Sequence, residues 1–186
     1  MSNTDQQELF TLIKGCRKQI RQSQNGLYKL YYSYAMSICI RYVNQEADAI
    51  SVVNQGFLKV FKNIKKFDPE KPFKPWFRRI LVNAAINHIR MQERFKMENN
   101  AIEEANNFRS EEEILSKIAY KDLMAMVQSL SSMYRTVFNM YVIDGYKHHE
   151  IAGILGITES TSKSNLTRAR AKLKEMVTLK LNNPHV

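Results

Sequence analysis

Arg79, Asn83, Asn87 and Arg90 fall at i, i+4, i+8 and i+11, a spacing that on a helix gives one stripe of amides flanked by guanidiniums. An amide carries donor and acceptor together and so suits the edge of a base better than a phosphate. Asparagine is a mediocre helix former, so two on one face cost roughly a few tenths of a kcal/mol each. A second set, Lys163, Ser164, Thr167, Arg168, Arg170, Lys172 and Lys174, lies off the row Leu166, Ala169, Leu173 and Val177, which repeats at helical spacing and must face a core. Lys and Arg neutralise phosphates and pair with guanine, while Ser and Thr contact several bases. Thr158 is placed to cap that helix, whose free N–H groups and positive dipole end favour a phosphate. Spacing alone fits a solvated polar face equally well in both cases; a short helix and glycine turn before the second set favour DNA there. His148-His149-Glu150 suggests a metal only superficially, since adjacent helical residues point in different directions and no second ligand pair lies near in sequence. The sequence has no glycine-rich phosphate loop, nucleophile motif or convergent carboxylate pair, so it reads as non-enzymatic, with no cofactor and no metal.

The elements that must carry these stripes read as helices throughout. Six glycines and four prolines punctuate the chain, three of the prolines (Pro69, Pro72, Pro75) fall in one stretch, and no alternating strand pattern of useful length occurs. Helices are expected over about 5–22, 27–43, 46–66 and 75–94, with Ser23-Gln24-Asn25-Gly26 as a turn and the loop FDPEKPFKPW before the fourth. The fourth should bury Phe77, Ile80, Leu81, Ala84 and Ile89, which leaves the Arg/Asn stripe outside. Residues 95–113 are acidic and polar without apolar periodicity and read as a flexible linker. Beyond it come a helix with Ile114, Ile118, Leu123, Val127 and Leu130, one with Tyr134, Val137, Phe138 and Tyr141, the short HHEIAGILG, the turn Gly156-Ile157-Thr158, and a last helix over about 159–179. Short helix, glycine turn and longer basic helix form a helix-turn-helix pattern. The expected architecture is all-α, with helical domains over 1–94 and 114–186.

The charge distribution narrows the partner. The 186 residues hold 28 Lys and Arg against 18 Asp and Glu, a net charge of +10, which points to a polyanion. Residues 1–94 carry +9, residues 95–120 carry −3 and residues 121–186 carry +4, as expected if two basic domains touch one nucleic acid. No secretory signal opens the chain and no run of about 18 apolar residues occurs, so a cytoplasmic protein without stable membrane insertion is expected. Cys16 and Cys39 read as reduced thiols.

Two long segments resemble a known family. ADAISVVNQGFLKVFKNIKKFD followed by PWFRRILVNAAINHIR, and later LSSMYRTVFNMYVIDGYKHHEIAGILGITESTSKSNLTRARAKLKE, are similar to the extracytoplasmic-function RNA polymerase sigma factors, the minimal group with two of the larger sigma domains. The resemblance implies a monomeric promoter-specificity factor that binds core RNA polymerase and promoter DNA and is often held by an anti-sigma protein. It implies polymerase contacts at Val52, Val53, Gln55, Phe57 and Leu58, capture of unpaired −10 bases by Arg79, Asn83, Asn87, Arg90, Phe73 and Trp76, with residues 67–76 around a flipped base, and −35 reading by Lys163, Ser164, Thr167, Arg168 and Lys172. The chain departs from the family at Ser51 and Gly56, where acidic residues are usual, at Ser162, where the usual residue is apolar, and at Asn165, where many relatives have Arg. A helix-turn-helix regulator that binds duplex DNA without polymerase is the alternative, and tight binding of the isolated protein to palindromic DNA would mark it.

Overall fold

Two helices open the chain and touch through glycine. α1 (Asn3–Arg17) and α2 (Arg21–Cys39) are separated by a break in which Gln19 takes a left-handed φ of 60°. A Cβ on Gly15 would lie 2.0 Å from Ser23 Oγ, and one on Gly26 would lie 2.7 Å from Leu12 Cδ2. Gly26 therefore serves close helix packing rather than a turn, and the expected turn at 23–26 lies inside α2. The computed structural model describes residues 3–99 and 116–182, and all regular structure among them is helical. The chain divides into two compact units, Met1–Ile40 with Gln45–Phe95, and Arg41–Asn44 with Lys96–Val186.

In the first unit α2 is followed by α3 (Glu46–Asn63), a 3₁₀ turn at Ile64–Lys66 and α4 (Phe73–Asn99). α2 buries Leu27, Tyr31, Ala35 and Ile38, α3 buries Ala49, Val52, Val53, Phe57 and Val60, and α4 buries Phe77, Leu81, Ala84 and Ala85. Each set repeats at three or four residues, so every helix buries one stripe. The Phe57 ring lies 5.0 Å from Phe77 and 4.6 Å from Tyr28. α4 also runs five residues past the expected end at 94, because Phe95-Lys96-Met97-Glu98-Asn99 contains no glycine or proline to stop it. The linker expected over 95–113 thus begins as helix, and the rest of it lies outside the described residues.

The second unit contains α5 (Ser116–Ser129), α6 (Ser132–Phe138), a π-helical turn at Asn139–Ile143, α7 (His148–Leu155) and α8 (Glu159–Asn182). Its core includes Leu130, Val137, Met140, Ile151, Leu166 and Ala169. Arg135 is 5% exposed, and its guanidinium donates to the carbonyls of Tyr42 (3.0 Å), Gln128 (2.6 Å) and Leu130 (3.3 Å) and to Asn44 Oδ1. A buried guanidinium is tolerated only when its donors are satisfied in this way. Beside it the Asp144 carboxylate pairs with Arg41 at 3.2 Å and accepts from the Tyr42 hydroxyl at 2.5 Å. Burial, reinforced by the Asp144 charge, raises the Tyr42 pKa well above the ordinary tyrosine value, so the hydroxyl remains a donor.

Candidate nucleic-acid interface

On α4 the buried stripe dictates what lies opposite. Arg79, Asn83 and Asn87 are exposed and Arg90 is half-buried, so the helix presents the expected row of amides between guanidiniums. At its N-terminal end Trp76 is half-buried, with its ring 4.9 Å from Phe67 and 5.6 Å from Phe73. Phe73 is 4% exposed and belongs to the core: its ring packs on Tyr31 at 4.9 Å and on Phe77 at 5.5 Å. Its assignment to the DNA surface is corrected accordingly, since it backs Trp76 instead of facing outward. The Arg17 guanidinium donates to the Phe67 carbonyl and ties α1 to the start of the segment 67–72 that leads into α4. Tyr34 anchors the other side, accepting from Arg78 Nε at 3.3 Å with Lys74 Nζ 5.5 Å from its ring centroid.

On α3 the five residues named for polymerase separate by face. Val52, Val53 and Phe57 are buried in the core and offer no surface. Gln55 is half-buried, and Leu58 is 69% exposed beside exposed Asn54. Gly56 is buried too, and a Cβ there would come 2.6 Å from Leu81 Cδ2. A side chain at position 56 would press on Leu81, so the position is a packing contact between α3 and α4 rather than part of an outer face.

α7 and α8 form the helix-turn-helix. Glu150 accepts from the Lys147 N–H at 2.9 Å at the start of α7, and Gly156 ends α7 in the left-handed region at φ 70°, a conformation glycine adopts without steric cost. Thr158 Oγ1 accepts from the Thr161 N–H at 3.0 Å and so caps α8, as its position suggested. Lys163, Ser164, Thr167, Arg168 and Lys172 are all exposed. Asn165 is buried, so it is a packing residue and not a phosphate contact. Two tyrosines that the sequence placed only in the apolar row of a helix support the basic residues: Tyr134 OH lies 3.5 Å from Arg168 Nη1 with Lys172 Nζ 5.7 Å from its ring, and Arg170 lies 5.9 Å from the Tyr141 ring. Tyrosines that stand before α7, well ahead of the basic helix in sequence, carry no sequence signal of such contact; only the tertiary fold reveals it. Ser162 is 0% exposed, and its Oγ lies 2.9 Å from His148 Nδ1. Among the described residues no group of three or more His, Cys, Asp or Glu is placed to hold a metal, and no helix is long and apolar enough to cross a membrane.

A capped, exposed basic helix behind a short helix and a left-handed glycine turn defines a DNA-binding protein of the helix-turn-helix class. Comparison with known proteins makes this specific. Residues 27–95 match the family model for sigma-70 region 2, and residues 120–173 match that for sigma-70 region 4. The ECF RNA polymerase sigma-E factor of Haemophilus influenzae is 25% identical over 177 residues, covering 89% of this chain and 93% of the relative. Its counterpart in Escherichia coli strain K12 is 28% identical over 178 residues, covering 89% and 92%. The fold is shared with RpoE of Bartonella quintana, solved with the anti-sigma factor NepR (20% identity, TM-score 0.57, 83% of this chain and 96% of that one), and with CnrH, solved with the cytosolic domain of CnrY (20%, 0.50, 91% and 96%). The chain belongs to the sigma-70 family, as a two-region RNA polymerase sigma factor of the extracytoplasmic-function group. It binds core RNA polymerase and promoter DNA to direct transcription initiation and is not an enzyme.

Proposed function

We propose that the work of promoter selection is divided among three surfaces. α8 reads the −35 duplex through Lys163, Ser164, Thr167 and Arg168, with Lys172 on phosphate. The α4 stripe and Trp76 hold unpaired −10 bases, offsetting the few kcal/mol that unstacking costs each flipped base. The α3 face with Gln55 and Leu58 meets core polymerase. The observation that carries this reading is the exposure of Arg79, Asn83 and Asn87 together on one face of α4, where amides meet base edges and guanidiniums meet phosphates. The acidic stretch after α4 acts as a tether that lets two basic domains reach separate DNA sites. The protein works in the cytoplasm as a monomer when free, and an anti-sigma protein holds it inactive until a signal releases it. RpoE of Bartonella quintana, which shares the fold, was solved in complex with the anti-sigma factor NepR.

Reconstitution with core RNA polymerase and a library of fork-junction DNAs tests the division. The wild-type chain is expected to select both a −35 sequence in the duplex and a base preference in the single-stranded −10 region. Selection of palindromic duplex DNA by the chain without polymerase would contradict it.

A further inference from the structure

We propose that His148 is a positioning residue for promoter reading, and that its hydrogen bond to buried Ser162 fixes how α8 is seated in the −35 element. The inference rests on the reading of α8 as the −35 helix. Ser162 is fully buried on the inner face of α8, immediately before the exposed pair Lys163 and Ser164 and one to two turns before Thr167 and Arg168. A polar atom in such a place is costly unless it is bonded, and the partner present is His148 Nδ1 at 2.9 Å, from the first turn of α7. Apolar packing at this point would tolerate a small slide of one helix over the other, whereas a hydrogen bond is directional and weakens steeply with misalignment. His148 is itself held: its ring stacks on Tyr141 of the π-helical turn, with centroids 4.4 Å apart and planes at 23°. A line of contacts therefore runs from the π turn through Tyr141 and His148 to Ser162 and the reading end of α8. Burial, with Lys163 and Arg170 adding to it and Glu159 opposing, lowers the His148 pKa below the ordinary histidine value, so the ring is neutral near neutral pH and adds no charge among these cations. His148 also lines an open groove with Lys147, His149, Glu159 and Lys163.

The test uses the full chain with core polymerase and compares affinity for a promoter fragment carrying the −35 sequence it selects with affinity for one in which that sequence is scrambled. His148→Phe keeps a ring for Tyr141 but loses the bond, Ser162→Ala removes the hydroxyl, and His148→Asn places an amide near the lost nitrogen. His148→Phe and Ser162→Ala are each expected to lower the ratio of the two affinities by roughly five- to tenfold, the size of one lost hydrogen bond. The double variant should do no worse than either alone, and His148→Asn should restore most of the ratio. Ser162→Ala is the mildest change and decides the matter if His148→Phe unfolds the second unit in a thermal melt. A ratio unchanged in both single variants, or losses that multiply in the double, overturns the proposal, because a merely structural pair would move the melting temperature and not the discrimination. Lys163→Ala and Arg168→Ala run in parallel: if they lower the ratio and the His148 and Ser162 variants do not, α8 reads DNA without this device. If none of the four lowers it, α8 is not the −35 reader and the proposal falls with that reading.

Discussion

Leu58 and Val52 lie on the same helix, and only one of them can meet a partner. Val52, Val53 and Phe57 share the buried row with Ala49, Gly56 and Val60, while Ser51, Asn54, Gln55 and Leu58 lie off it. That separation was legible in the sequence from helical period alone, but matching residues to a family motif gives contact with polymerase and core packing the same weight. Leu58→Asp should leave the thermal melt unchanged and weaken association with core polymerase by about tenfold or more, read by gel filtration or fluorescence titration, since an exposed apolar anchor is replaced by a charge. Retained affinity would move the interface off α3. The His148–Ser162 pair was not legible, because residues fourteen apart meet only once α7 and α8 are folded together. It has a pH consequence. A histidine whose folded pKa is depressed binds protons more readily when unfolded, so its contribution to stability is present above the ordinary histidine value and is lost as pH falls toward the folded value. Denaturant midpoints between about pH 8 and about pH 5 should therefore fall less for His148→Asn than for wild type.

At the scale of elements, the order and number of the long helices were readable from apolar periodicity, whereas their ends were not. Gly26 looks like a turn residue in sequence, and only the approach of Leu12 shows that it lies within a helix contact. α4 passes its expected end because charge composition marks a linker but does not by itself stop a helix. The glycine contacts carry a prediction that runs against helix propensity. Alanine favours a helix over glycine by about 1 kcal/mol, yet Gly15→Ala should destabilise the first unit by about 1–2 kcal/mol net, because the new methyl would stand 2.6 Å from Ser23 Cβ, which cannot rotate away. Chemical denaturation measures it, and a stabilised variant would show that α1 and α2 shift apart at little cost. In the second unit Arg135→Met should cost about 2–3 kcal/mol, because it strands several buried acceptors that the guanidinium now satisfies.

Across the whole molecule, two basic stretches flank an acidic one, and that pattern was enough to point to a polyanion contacted at more than one place. Which side chain touches a base and which a phosphate is not a matter of charge. Phe73 illustrates the limit, since the family resemblance set it among the −10 residues and it is buried, and Asn165, where many relatives have Arg, is buried as well. Limited proteolysis of the free protein should cut first within residues 100–113 and release two folded fragments, whereas a single resistant unit would contradict a tether. The central claim is that α4 captures unpaired bases while α8 reads duplex DNA. It is tested most directly by base preference at each −10 position on a promoter template with a pre-melted bubble, for holoenzyme carrying wild type or Asn83→Ala. Asn83 is exposed, so the substitution should leave folding and polymerase binding intact while it flattens the preference at one −10 position by roughly 1–3 kcal/mol and leaves −35 selection unchanged. Wild-type preference at every −10 position, together with a wild-type rate of open-complex formation on duplex DNA, would contradict it.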